Sequence, residues 1–257
     1  MLGAIAGDMI GSVYEANVTK NKHFQPLFAP RSTFTDDTVL TVAVADALLT
    51  QGNYAQKLQA YTRRYPGRGY GGNFYRWARA NNPQPYNSWG NGSAMRVSPV
   101  AYGFATLPEV LTEAQRSAEV THNHPEGIKG AQATAAAIFL SRQGKEKAEI
   151  RDYIEQTFQY NLQQTLDEIR PQYSFDVSCQ GSVPQAILSF LESVDFEDTI
   201  RNAISLGGDS DTIACIAGGI AEAFYGGVPA AIAEQVWRRL DDDLANVVKQ
   251  FQLIVDS

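Results

Sequence analysis

Two acidic clusters stand immediately before two apolar segments. Thr35-Asp36-Asp37-Thr38 precedes Val39–Leu49, and Asp209-Ser210-Asp211-Thr212 precedes Ile213–Phe224. Both segments are apolar almost all round at the helical period, which predicts central, buried helices. A chain built this way carries four carboxylates to the starts of its own core helices. One Asp or Thr there caps a helix, because it accepts free amide hydrogens and meets the positive end of the dipole. A second carboxylate beside the first adds repulsion that capping does not need. If the two starts converge, burial and repulsion raise the carboxyl pKa values unless cations are present. Hard divalent ions such as Mg2+ and Mn2+ relieve this, since they take carboxylate, hydroxyl and water oxygens. For either cluster alone, capping and metal binding both stay open; the pair favours a metal site.

The rest of the chain reads with helical period. Leu240, Leu244, Val247, Val248, Phe251 and Val255 share one face, as do Val183, Ile187, Phe190, Leu191 and Val194. Pro125 suits a first helical position and opens an Ala-rich stretch to Arg142. The chain holds 32 alanines, the best helix formers, and few runs alternate as strands do. The predicted class is all-α. No linker divides the sequence, so residues 1–257 are expected to form a single domain. The least helical stretches are Arg63–Gly92, rich in Gly, Pro, Asn and aromatics, and Pro171–Gly181. Long loops inside compact domains are often functional, and these are expected to gather at a site.

Charge narrows the ligands. A net charge of −7 leaves no overall basic field for a nucleic-acid backbone. A phosphate-bearing ligand must then be held by backbone amides, metal ions or local groups. Two cysteines, Cys179 and Cys215, exclude a disulfide framework and a cysteine zinc site. The apolar start MLGAIAGDMIGSVYE lacks Lys and Arg and contains Asp8, which fits neither a secretory signal nor a membrane span. A cytoplasmic protein is expected.

Smaller features add to the site. Asp8 and Glu15 lie seven apart, on one face of a continuous helix, and Glu15 adjoins the polar stretch Asn17–Lys22. Ser88-Trp89-Gly90-Asn91-Gly92 reads as a Gly-rich turn entering a helix, whose free N–H groups suit a phosphate. Trp89, Tyr86, Tyr70 and Phe74 serve either as core or as platforms for a base. His122 and His124 precede Pro125, where capping is the default for His124, and Cys215 reads as a small core residue.

The segments GDMIGSVYEA, FTDDT, SWGNGSAMR, THNHPEG, GSVPQAI and SLGGDSDTIACIAGGIAEAFYG, in that order, resemble the ADP-ribosylglycohydrolase family. That family includes the dinitrogenase reductase-activating glycohydrolase and vertebrate ADP-ribosylhydrolases. The resemblance runs from Gly3 to about Gly227. It implies a compact orthogonal helical bundle with a dinuclear Mg2+ or Mn2+ centre. Thr35, Asp36 and Asp37 would ligate from one side, and Asp209, Asp211 and Thr212 from the other. Glu15 matches a gating carboxylate, and Ser88, Gly90, Asn91 and Gly92 match the loop around the diphosphate and distal ribose. Trp89 matches an adenine-stacking aromatic, His122 a motif histidine near the ligand, and Asp8 a support for the first helix.

The implied reaction is metal-dependent hydrolysis of the C1″ bond between ADP-ribose and a protein side chain or small conjugate, with Glu15 or Asp36 activating water. The implied partner is an ADP-ribosylated protein or conjugate, and a monomer is expected. GDMIGSVYEA is similar to the branch acting on serine-linked ADP-ribose. Some arginine-directed members carry an acid where this chain has Asn87 and Ser88, a further lean to O-linked substrates. The alternatives are a catalytically silent ADP-ribose-binding module and a metal phosphatase acting on an ADP-ribose derivative.

Overall fold

The computed structural model describes residues 1–255, and these form fifteen helices. In chain order they are α1 (Leu2–Gly11), α2 (Asp36–Leu49), α3 (Tyr54–Arg64), α4 (Gly72–Arg79), α5 (Gly92–Met95), α6 (Val100–Gly103), α7 (Leu107–Glu119) and α8 (Pro125–Arg142). There follow α9 (Lys147–Phe158), α10 (Leu166–Ile169), α11 (Cys179–Leu191), α12 (Phe196–Ser205), α13 (Ser210–Phe224), α14 (Ala230–Trp237) and α15 (Asp242–Val255). Among the described residues the only β pairing is an isolated antiparallel bridge, Gly90 with Ser178. The fold is all-α. None of the described helices is long and apolar enough to cross a membrane.

The centre is the pair α1 and α13, which run antiparallel with their backbones touching. Gly3, Gly7 and Gly11 recur every fourth residue and so share one face of α1. A Cβ at Gly7 would lie 2.0 Å from Ala214 O, one at Gly3 would lie 2.3 Å from Gly218 O, and one at Gly11 would lie 2.6 Å from Asp211 Cα. Only hydrogen at these positions permits the approach. Every residue of α1 is buried, and Glu222 of α13 accepts from Leu2 N (3.1 Å) and Gly3 N (2.8 Å), satisfying the free amides at its start. The consequence for function is positional: the end of α1 lies at the beginning of α13.

The two apolar segments fold as expected. Val39–Leu49 lies in α2 and Ile213–Phe224 in α13, each with a long run of buried residues. Helices α8, α11 and α12 pack around α13, while α3 and α15 pack on α2. Three local readings need correction. Residues 63–92 are not all irregular, because α4 lies within them and buries Phe74, Trp77 and Ala78 on one face. α11 starts at Cys179, ahead of Val183, because Ser178 Oγ accepts from Gly181 N at 2.9 Å and caps the helix there. α1 ends at Gly11, so Glu15 lies in the turn beyond it and not on one helical face with Asp8.

Candidate active site

The helix arrangement brings both acidic clusters to one place. Thr35 is the N-cap of α2 and Asp209 the N-cap of α13. One carboxylate oxygen from each of Asp8, Asp37 and Asp211 lies within 4.8 Å of the others, and all three residues are buried. Thr212 Oγ1 donates to Asp37 Oδ2 at 3.3 Å, a direct tie between the two helix starts. Asp36 is half-buried; its backbone N–H donates to Arg68 O at 2.8 Å. Gly69 comes close to its carboxylate: a Cβ there would sit 3.1 Å from Asp36 Oδ1, and the glycine φ is +102°. Asp209 accepts from Asn91 Nδ2 at 2.7 Å.

Asp8 holds the cluster together. Its carboxylate accepts from Thr35 N (2.9 Å), Thr35 Oγ1 (2.7 Å) and Thr38 N (3.1 Å), and also from Thr38 Oγ1. A side chain of α1 thereby satisfies free donors at the start of α2. It supports more than its own helix, since it also adds a carboxylate to the cluster.

Packing so many acids together disfavours ionisation. Burial first, and then the charge of Asp211, pushes Asp8 up to about 7. Burial and then Asp209 pushes Asp211 up to about 8. Asp36 and Asp37 are raised well above the carboxylate range by burial and then by Asp211, and Asp209 is raised by burial. The exposed Glu15 is raised by partial desolvation and then by Asp211.

The donor set suits a hard cation. Every candidate ligand is a carboxylate or hydroxyl oxygen, with no sulfur or imidazole, which matches Mg2+ or Mn2+. Asp37 Oδ1 is buried without a hydrogen-bond partner among the described residues. A buried, unpartnered carboxylate oxygen is costly unless a cation is bound to it. The residues fit a divalent ion.

A cleft of about 570 Å³ opens beside this cluster, a volume suited to a small organic ligand. Glu15, Thr35, Asp36, Asp37, Asp209, Asp211 and Thr212 line one end. Ser88, Trp89, Gly90, Asn91, Gly92 and His122 line the same cleft, so the residues expected to ligate metal, act on water or hold substrate meet there, whereas Asp8 and Tyr70 do not line it. The loop of Ser88–Asn91 is pinned from both sides. Ser88 N donates to Thr121 O (3.4 Å), Asn91 N to Val177 O (2.8 Å), and Cys179 N to Trp89 O (3.0 Å). Asn91 spends its side-chain amide on Asp209 and on Ser182 Oγ (3.0 Å), which ties the loop to the acidic cluster. Trp89 stays 49 % exposed. His124 caps α8, accepting from Glu126 N at 3.1 Å, and Cys215 is buried in α13.

Several participants carry little or no local sequence signal. Phe175, 55 % exposed, lines the cleft together with Trp89, yet it sits in a stretch with no periodicity to mark it. Arg96 lines the cleft while fully buried, and its only sequence signal was its place at the end of SWGNGSAMR. Gly69 looked like one glycine of a loop; the close approach to Asp36 appears only in three dimensions.

Known proteins of similar sequence and shape agree on a family. The profile of the ADP-ribosylglycohydrolase family matches residues 1–255. ADP-ribosylhydrolase ARH3 of Mus musculus is 29% identical over 308 residues, covering 88% of this chain and 82% of that protein. ADP-ribosylarginine hydrolase Tri1 of Pseudomonas putida is 29% identical over 270 residues, covering 92% of this chain and 72% of that protein. A solved structure titled ADP-ribosylglycohydrolase-related protein complex superposes with a TM-score of 0.72 at 22% identity, over 96% of this chain and 94% of that one, and so shares the fold. With the profile spanning nearly every residue, the chain belongs to the ADP-ribosylglycohydrolase family.

Proposed function

We propose that the cleft binds the ADP-ribosyl group of a modified protein or small conjugate and that the chain hydrolyses its C1″ glycosidic bond. The observation carrying this reading is the union, in one cleft, of an oxygen-only acidic cluster with a pinned glycine turn flanked by exposed aromatics. Two Mg2+ or Mn2+ ions held by Thr35, Asp36 and Asp37 on one side and Asp209, Asp211 and Thr212 on the other would neutralise the acids and orient the distal ribose hydroxyls.

The chain's own groups account for the rest. Gly90 and Gly92 offer a close, side-chain-free approach for the diphosphate, with Ser88 and His122 beside them. Trp89 and Phe175 offer π-faces to the adenine. As the C1″ bond breaks, positive charge develops on the sugar, and the surrounding carboxylates stabilise it. Glu15 or Asp36 takes a proton from the attacking water; the new C1″–O bond replaces the one to the side chain, which leaves with a proton. Glu15 sits in a turn at the cleft edge, at the boundary with solvent, where it can meet water.

An O-linked substrate is favoured by the GDMIGSVYEA segment and by the lack of an acid at Asn87 and Ser88. Mass spectrometry of products from matched seryl and arginyl ADP-ribosyl peptides, with and without Mg2+ or Mn2+, tests the whole reading. Cation-dependent release of ADP-ribose, faster from the seryl peptide, is expected. Binding without release, or phosphate release from ADP-ribose 1″-phosphate alone, overturns it.

A further inference from the structure

Arg96, Thr121 and His122 form a hydrogen-bonded chain behind the glycine turn. Arg96 Nη2 donates to Ser117 O and to Thr121 Oγ1, each at 2.9 Å. Thr121 Oγ1 lies 2.7 Å from His122 Nδ1. The direction of this last bond follows from counting lone pairs. A guanidinium only donates, so the Thr121 hydroxyl hydrogen has to find an acceptor elsewhere. Ala118 O is 3.5 Å away. It already accepts from Thr121 N at 3.1 Å and His122 N at 2.7 Å, which fills both lone pairs of a carbonyl oxygen. The hydroxyl hydrogen therefore goes to Nδ1. A neutral imidazole whose Nδ1 accepts carries its proton on Nε2.

That second nitrogen faces the turn. His122 Nε2 lies 3.2 Å from where a Cβ on Gly92 would be, and 3.6 Å from one on Gly90. We infer that Arg96 and Thr121 are positioning residues that fix His122 as the Nε2–H tautomer, a neutral donor turned into the cleft toward a phosphoryl oxygen. Burial, and then the Arg96 charge, holds the imidazole well below its ordinary pKa, so the ring stays neutral. The anionic character of the acceptor has separate support. Arg96 is fully buried, and its Nε and Nη1 have no partner among the described residues, so its charge adds a positive field behind the turn. The inference rests on the reading that the cleft receives an ADP-ribosyl group, whose diphosphate is the anion.

The tautomer can be read directly in the full chain by long-range ¹⁵N–¹H correlation spectra of histidine-labelled protein. The three histidines, His23, His122 and His124, are separated by comparison with His122→Gln. An unprotonated Nδ1 and a protonated Nε2 are expected for His122. Thr121→Val, of nearly the same shape, removes the donor to Nδ1; the ring should lose its single tautomer and ADP-ribose should bind about ten-fold more weakly. Thr121→Ser should restore both. A protonated Nδ1 in the wild-type spectrum overturns the inference, even where Thr121→Val fails to fold. So does a Thr121→Val protein that keeps the wild-type tautomer and affinity. A wild-type chain with the expected tautomer but no affinity for ADP-ribose overturns the functional reading instead.

Discussion

Asp8 of α1 accepts hydrogen bonds from both the backbone N–H (3.1 Å) and the hydroxyl of Thr38 in α2. The same carboxyl group takes two more from Thr35, so the first helix is bolted to the second through one buried side chain. Asp8→Ala leaves these donors without an acceptor inside the protein. A charged acceptor is worth about 1.5–3 kcal/mol per bond, and such losses do not simply add, so a drop of about 3 kcal/mol in unfolding free energy is expected. Asp8→Asn keeps one acceptor oxygen and should lose less. Urea unfolding in excess Mg2+ measures both, and an unmoved midpoint for Asp8→Ala would contradict this role.

The raised carboxyl pKa values give stability a definite pH dependence. An unfolded Asp titrates near 4, whereas Asp8 titrates at about 7 and Asp211 at about 8 in the fold. Between those limits the folded chain holds more protons than the unfolded one. Without cations, this contribution is fully present below about pH 4 and is lost as pH rises through about 8. A divalent ion binds the deprotonated cluster, so its stabilisation should grow over the same window. Melting temperatures in chelator and in Mg2+, for wild type and Asp211→Asn, isolate the effect from other titrating groups. The cation-free advantage of Asp211→Asn over wild type should widen from about pH 5 to about pH 8. An advantage that is flat with pH would sink the idea.

The glycines of α1 separate what could be read in the sequence from what could not. The two apolar helices announced themselves because Val39–Leu49 and Ile213–Phe224 are apolar almost all round, and that depends only on the segment itself. The acidic starts were visible for the same reason. Gly3, Gly7 and Gly11 were equally visible, but their meaning depends on which residues of α13 lie opposite, and no local pattern carries that information. Arg96 and Phe175 stayed hidden likewise: one is a cation buried by neighbours distant in sequence, the other an aromatic in a stretch without period. The short face of α4, made of Phe74, Trp77 and Ala78, was too brief among glycines and arginines to read as a helix.

Gly7→Ala tests that backbone contact. Its Cβ would meet Ala214 O at 2.0 Å and Ala214 C at 2.3 Å, and backbone atoms inside a packed helix cannot step aside. Separating α1 from α13 should cost about 3 kcal/mol or more and displace Asp8 from the cluster, so cation affinity should fall with stability. Gly219→Ala is the control. Its Cβ would meet only side-chain atoms, at 3.4 to 3.6 Å, and Ala favours a helix over Gly by up to about 1 kcal/mol. Calorimetric unfolding and Mg2+ titration of the two variants should diverge. Equal stability would mean that the α1–α13 contact is looser than the structure has it.

Trp89 and Phe175 allow binding to be separated from chemistry. Their side chains are about half exposed, while their loops are held by backbone bonds: Cys179 N donates to Trp89 O, and Gly90 bridges Ser178. Truncating either ring therefore removes a ligand surface without removing a core contact. Stacking of a base on an aromatic side chain is worth about 1–3 kcal/mol. If that contact is alike in ground and transition states, Trp89→Ala should raise KM about ten-fold or more with kcat unchanged within about two-fold. Phe175→Ala should act in the same direction, and the double variant should fall short of the product if one ring shields the base from water after the other is lost. Steady-state kinetics on a seryl ADP-ribosyl peptide measure this, with urea midpoints as the check on folding. A loss confined to kcat would place these rings in the chemistry of the glycosidic bond and remove them as an adenine platform.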